Sequence, residues 1–145
     1  MKFVFTSEPE QLCEVRERIR RFLEPLPLEE TERYLVLMGI DEACSNIIRH
    51  AYNNTPGKRI VVELRCRNGE FHCRLRDYGV PADPGEFRVR QMNEGVAGGM
   101  GYHLMHRAFD AVDYQPQKRG TELLLKRRLP AAEDRYSIPD YSPAT

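Results

Sequence analysis

The chain has no excess of charge of either sign: its 22 Lys and Arg offset its 22 Asp and Glu over 145 residues. A neutral chain argues against dedicated nucleic-acid binding, which needs a basic face. No apolar run is long enough to cross a bilayer, and the opening Met1-Lys2-Phe3-Val4-Phe5-Thr6 is too short for a signal peptide. The four cysteines are scattered, with no C-x-x-C pair, which disfavours a zinc ribbon. They read as buried thiols of a cytoplasmic protein. No Gly-x-x-x-x-Gly-Lys-Ser/Thr stretch occurs, so a Walker-type phosphate loop is unsupported. There is no internal repeat. The length fits one domain with a proper core, over 1–129. Residues 130–145 are rich in Pro, Ser and Tyr without periodicity, the composition of a loose tail.

What is present is an alternation of short strands and two amphipathic helices. Lys2 to Thr6 reads as a strand with Phe3 and Phe5 on one face. Ser7 with Glu10 has the spacing of a capping box, and Leu12, Val15, Ile19, Phe22 and Leu23 form the apolar stripe of the helix that follows. Pro25-Leu26-Pro27 ends it. A longer helix is predicted from about Glu29 to about Tyr52, with Leu37, Ile40, Cys44, Ile47, Ile48 and Ala51 as its stripe. Ile60, Val62, Leu64 and Cys66 then alternate with polar residues, Asn68-Gly69 turns the chain, and Phe71, Cys73 and Leu75 alternate back. That register sets Cys66 opposite Phe71 and Leu64 opposite Cys73. The two cysteines are then diagonal neighbours, too far apart for an easy disulfide. Glu63, Arg65, Arg67, His72, Arg74 and Arg76 fall on the other, solvated face. Residues 78–99 read as a long mobile loop of the kind that serves as a lid. A short helix from Met100 to about Phe109 and a hairpin through Val112-Asp113-Tyr114 and Thr121 to Leu129 complete the pattern.

Three segments carry chemistry. Glu42 and Asn46 lie one helical turn apart on one face, away from the main apolar stripe. A carboxylate and a carboxamide oxygen so placed suit a magnesium–nucleotide site, because magnesium keeps most of its waters and takes few protein oxygens. A plain solvated helix face would carry the same pair. Asp77 continues the alternation of Phe71, Cys73 and Leu75, so it projects inward and requires donors. An adenine amino group would serve; so would a helix N-terminus or a neighbouring side chain. Gly79 would let the backbone approach a flat ring. Gly98-Gly99-Met100-Gly101 opens the short helix and would present free N–H groups to phosphate, or act as a hinge. His50, His72, His103 and His106 form no metal-ligand pattern, since His103 and His106 share a face without a third ligand.

Read together, these segments resemble a known family. Glu42-Ala43-Cys44-Ser45-Asn46, with His50-Ala51-Tyr52, resembles the N box of the anti-sigma-factor serine/threonine kinases, members of the GHKL superfamily with histidine kinases, gyrase and Hsp90. Arg76-Asp77-Tyr78-Gly79 resembles the first glycine box, Gly98 to Met105 the second, and Gly120-Thr121 the closing strand. The resemblance covers residues 3–129. It implies a Bergerat-type fold of the α+β class: a two-layer α/β sandwich with helices on one face of a mixed, mainly antiparallel sheet. It implies ATP and Mg2+ as ligands. Asn46 would bind the metal, Glu42 would be the catalytic base, Asp77 would take the adenine amino group with Gly79 beside it, and Gly99 and Gly101 would contact phosphates. Gly98, Met100 and Thr121 belong to the same boxes. Arg49, by its place on the pocket-facing side of the helix rather than by the resemblance, could reach phosphate. The expected partners are a sigma factor, or a STAS-domain anti-anti-sigma protein phosphorylated on Ser or Thr, with no direct nucleic-acid or membrane contact; a homodimer is consistent with the resemblance. A non-catalytic ATP-binding module that acts by sequestration is the alternative. A detached histidine-kinase domain fits less well, because no phosphoacceptor hairpin precedes the N box, and a gyrase-type protein would need a transducer domain. One departure is local: Val80-Pro81 stands where a second glycine often follows the first box.

Overall fold

A computed structural model describes residues 1–81 and 103–131. The elements run β1 (Lys2–Thr6), a 3-10 turn (Pro9–Gln11), α1 (Leu12–Leu23), α2 (Glu30–Asn46) continued by a π-helical turn (Ile47–Ala51), β2 (Arg59–Arg67), β3 (Glu70–Asp77), a helix α3 over 103–108, β4 (Ala111–Pro116) and β5 (Thr121–Arg128). The five strands form one sheet in the order β1-β2-β3-β5-β4. Every strand pairing among the described residues is antiparallel, in keeping with the mainly antiparallel sheet that the resemblance implies.

The hairpin of β2 and β3 follows from its turn. Asn68 and Gly69 both adopt positive φ, at 52° and 72°, which matches the right-handed twist of the flanking strands. The register is then fixed, and Cys66 faces Phe71 while Leu64 faces Cys73. Because side chains alternate, one face of the sheet collects Phe3, Phe5, Ile60, Val62, Leu64, Phe71, Cys73, Leu75, Leu123 and Leu125, all buried. The helices close over it with Leu12, Val15, Ile19 and Leu23 from α1, Val36, Ile40 and Cys44 from α2, and Met105 and Ala108 from α3. This is a two-layer arrangement with the helices on one side.

The start of α2 is set by Glu29 and Glu32, whose side chains cap each other's backbone N–H. The box expected at Ser7 and Glu10 does not form. Ser7 is buried instead, donating to the Thr55 carbonyl at 2.6 Å and accepting from the Lys58 N–H at 2.9 Å. A hydroxyl that can bond both ends of a distant turn serves that turn rather than its own helix. The outer sheet face is solvated at Arg65, Arg67 and Arg74 and ion-paired at its centre. Glu63 is buried between Arg65, at 2.5 Å, and Arg74, at 3.5 Å, and Arg74 also grips Glu122 through two contacts.

The cysteines divide. Cys44 and Cys73 are buried and Cys13 and Cys66 exposed; all four are free. Phe22 packs on Phe71, ring centroids 5.9 Å apart, while Cys66 opposite it stays open to solvent at the end of β2. Burial pushes the Cys44 and Cys73 thiols up. In a thiol-reagent titration of the native protein, Cys13 and Cys66 should react, with Cys44 and Cys73 labelling only after denaturation. Rapid native labelling of Cys44 or Cys73 would show that the helix layer opens over the sheet.

Candidate functional site

The site begins where α2 ends. After Asn46 the helix widens into a π turn, in which the Tyr52 N–H reaches back to the Ile47 carbonyl at 3.1 Å. Asn53 and Asn54 then take left-handed φ values of 49° and 59°, and the Asn54 N–H caps the Ile48 carbonyl at 2.8 Å. Asparagine tolerates that region better than most residues. Insertions of this kind inside a helix frequently mark functional sites.

Two strand ends are stitched to this turn. The Val80 N–H donates to the Ala51 carbonyl at 2.9 Å. The Tyr52 hydroxyl accepts from the Tyr78 N–H at 2.8 Å and donates to the Arg59 carbonyl, so one buried phenol ties α2 to both strands of the hairpin. The approach is close enough to exclude a side chain at Gly79, where an added Cβ would lie 2.2 Å from the Ala51 carbonyl oxygen. Backbone contact with the helix therefore already demands glycine there, before any ligand ring is considered. Gly120, at the start of β5, combines a φ of +75° with the same crowding: its Cβ would meet the Asp77 carbonyl oxygen at 2.1 Å.

Asp77 closes β3 in the inward position that alternation predicts, and it is 2% exposed. Its Oδ1 accepts the Gly79 N–H at 3.0 Å, and the Thr121 N–H also donates to the carboxylate. Burial still wins: it holds the carboxyl above the usual aspartate range, against these two donors and Arg76. A buried carboxylate with its position fixed by backbone donors is a site for a further donor from a ligand. Thr121 is likewise buried beside it. Arg76 stacks on the Tyr78 ring, 4.3 Å from its centroid, and donates to the Asp77 carbonyl, clamping the outer side of the same strand end.

On α2, Glu42, Asn46 and Arg49 share a face. Asn46 is buried, which the plain solvated helix face left open as an alternative would not give. Glu42 is partly buried, and burial raises its carboxyl above the usual range, with the nearby Arg49 opposing the rise. Asp41 adds to that rise, while its own charge is paired with Arg16 at 3.0 Å. Arg49 Nη2 donates to Asn46 Oδ1 at 2.8 Å and to Glu42 Oε1 at 3.2 Å. From Asn46 to Ala51, against which Gly79 packs and to which Val80 is bonded, is on the order of 7 Å along the helix axis, and Glu42 lies roughly 6 Å further the other way. Glu42, Asn46, Arg49, Asp77, Gly79 and Thr121 thus belong to one region. Gly98, Gly99, Met100 and Gly101, with most of the expected lid, lie outside the described residues. Tyr52 and Gly120 are named in the sequence only as parts of the N box and the closing strand; the structure gives them their roles, as the link from the helix end to both strands and as the close approach to Asp77. Among the described residues no three His, Cys, Asp or Glu cluster as a metal site.

This layout, an acid and an amide on α2 together with a buried aspartate at a strand end, fits a class of nucleotide-binding domain built without a Walker loop. The chain belongs to the histidine kinase-like ATPase domain family, whose description matches residues 5–127. Within that family its similarity runs to the anti-sigma factors. It is 27% identical over 135 residues to the anti-sigma F factor of Geobacillus kaustophilus, covering 89% of this chain and 92% of that one. It is 32% identical over 110 residues to the anti-sigma F factor of Geobacillus sp. strain WCH70, covering 72% and 73%. It is 29% identical over 99 residues to the serine/threonine-protein kinase BtrW of Bordetella bronchiseptica, covering 64% and 68%. A solved histidine kinase domain from the blue-light activated kinase of Erythrobacter litoralis superposes with a TM-score of 0.55 at 12% identity. That match, over 83% of this chain and 60% of the solved one, speaks for the fold alone.

Two substitutions test the geometry. Asp77 has a raised carboxyl pKa, so its contribution to stability is present below the unfolded value and lost as pH rises through the folded one. Asp77→Asn should therefore raise the melting temperature of the ligand-free protein at neutral pH, by a few degrees on the order expected for a domain of this size. The gain should shrink as pH falls toward 4; a gain that is constant with pH would contradict the burial argument. Gly120→Ala should destabilise by about 2 kcal/mol or more in denaturant unfolding, through strain at positive φ and the clash with Asp77.

Proposed function

We propose that this chain is an ATP-dependent protein serine/threonine kinase of the anti-sigma type. It would act in the cytoplasm by sequestering a sigma factor, by phosphorylating a Ser or Thr of a small STAS-type antagonist, or both. The observation that carries this reading is Asp77, buried at the end of β3 with its carboxylate held by the Gly79 and Thr121 N–H groups, where that strand end meets the last turn of the helix that carries Asn46 and Glu42. A nucleotide bound there would present its base to Asp77, its phosphates near Asn46, and its transferable end near Glu42.

The donors fit a divalent cation. Asn46 Oδ1 and Glu42 Oε1 already share one positive group, the Arg49 guanidinium, which stands in for a cation between them. Asn46 and, through water, Glu42 would hold Mg2+; when bound, the ion would neutralise phosphate charge. The protein's own contributions are separable. Asp77, its oxygens fixed by the Gly79 and Thr121 N–H groups, would accept the adenine amino group and set the register of the nucleotide. Arg49, half-exposed and unbranched until its fork, would pair with phosphate oxygens. Glu42 would accept the proton of the attacking hydroxyl. Burial suits it to that task, because a carboxyl raised above its usual range is a stronger base when ionised. The alternative, a module that holds ATP and only sequesters, leaves Glu42 without a role.

The test is transfer of labelled γ-phosphate from ATP to a STAS-domain protein from the same genome, by the parent and by Glu42→Gln. Glu42→Gln should bind ATP within about twofold of the parent and transfer phosphate slower by on the order of 100-fold. Undiminished transfer in Glu42→Gln would remove Glu42 as the base, and no transfer by the parent to any such protein would favour sequestration alone.

A further inference from the structure

Arg49 occupies the atoms the kinase reading needs free. One nitrogen, Nη2, bonds both Asn46 Oδ1 and Glu42 Oε1, at 2.8 and 3.2 Å. Arg49 stands three residues beyond Asn46 and seven beyond Glu42, so successive turns bring all three onto one helix face. The three side chains differ in freedom. Asn46 is 4% exposed and Glu42 is covered on most of its surface, whereas the Arg49 side chain is 45% exposed on a long stem. The acceptors are fixed and the cation between them is the part that can swing.

We propose that Arg49 is an internal cation that positions Asn46 and Glu42 and keeps a divalent metal out until a polyphosphate draws it away. The inference rests on the reading of Asn46 as the metal contact. Its physics is short-range. A guanidinium within 3 Å of the ligand oxygen occupies that oxygen's lone pair, and its charge repels a second cation at the same place. A polyphosphate offers the same fork two or more strong acceptors and several negative charges, so it competes well for Arg49 while the exposed stem keeps the cost of reorientation low. Releasing Arg49 takes the guanidinium off both Asn46 Oδ1 and Glu42 Oε1 in one motion. Metal and nucleotide are then coupled through a residue that both must displace. By linkage, each raises the affinity of the other by the same factor.

Arginine is required for this role. Its planar fork reaches two acceptors a turn apart, whereas a lysine ammonium at the same position is a compact charge on a flexible stem. Arg49→Lys should therefore hold the metal out less well than Arg49.

The experiment is titration of Mn2+, read by its electron paramagnetic resonance signal, into the nucleotide-free protein and its variants. Arg49→Ala should bind Mn2+ about tenfold more tightly than the parent, with Arg49→Lys between them. Adding Asn46→Ala to Arg49→Ala should abolish the gain, with folding checked by circular dichroism; Glu42→Gln in the same background, at a less buried position, should reduce it. Equal Mn2+ affinity in the parent and Arg49→Ala, including a shared failure to bind, would overturn the proposal. So would a gain that survives both second substitutions, because removing any nearby positive charge would explain it. ATP titration of the same samples separates the two claims. An Arg49→Ala gain in a protein that binds no ATP would sink the kinase reading and leave the arginine's competition with metal standing.

Discussion

The site depends on the seam between the end of α2 and the ends of β3 and β5. There the Ala51 carbonyl takes the Val80 N–H, the Tyr52 hydroxyl joins the Tyr78 N–H to the Arg59 carbonyl, and Gly79 and Gly120 bring three backbones closer than any side chain would allow. Buried backbone groups must be paired, and here they are paired across elements rather than within them. The helix ends at Ala51, so that carbonyl has no partner within the helix and takes one from the chain beyond β3. Asp77 is held inward by the same seam, since its carboxylate accepts the N–H of Gly79 on one side and of Thr121 on the other.

That arrangement runs against stability. A carboxylate whose pKa is raised by burial costs the ligand-free fold at neutral pH, and the sheet could have ended on an apolar residue. Proteins carry such groups where a ligand makes up the deficit. Glu42 repeats the pattern more mildly, with a neighbouring Asp41 neutralised by Arg16 and its own charge balanced by Arg49. One of these acids lies on α2 with a buried amide a turn further along, and the other closes β3 where that strand end meets the end of the helix. The layout makes sense for an elongated ligand with a donor at one end and a reacting group at the other.

Much of this was legible in the sequence because periodicity states which way a side chain faces. Asn68-Gly69 set the hairpin register, and with it the inward placement of Asp77; the apolar spacing gave α1 and α2 nearly to their ends. Contacts between distant segments were not legible. Ser7 looked like a helix cap because its partners, Thr55 and Lys58, are about fifty residues away. Spacing alone left Asn46 between a solvated face and a site, because a helical wheel does not show what packs against its far side. Cys66 looked buried because alternation gives a face but not how far along the strand the helices reach. Gly79 was read as making room for a ring, and the nearer reason is the Ala51 carbonyl. The pairing of Arg49 with both Asn46 and Glu42 needed coordinates, since spacing alone allows it to reach out to phosphate equally well.

The central claim is that Asp77 and the α2 face form one nucleotide site, and calorimetric titration of ATP and ADP into the protein, with and without Mg2+, tests it most directly. The account predicts binding that strengthens with Mg2+ and that Asp77→Asn abolishes in a protein that remains folded. Folded protein that binds neither nucleotide, or Asp77→Asn that binds as well as the parent, would contradict it.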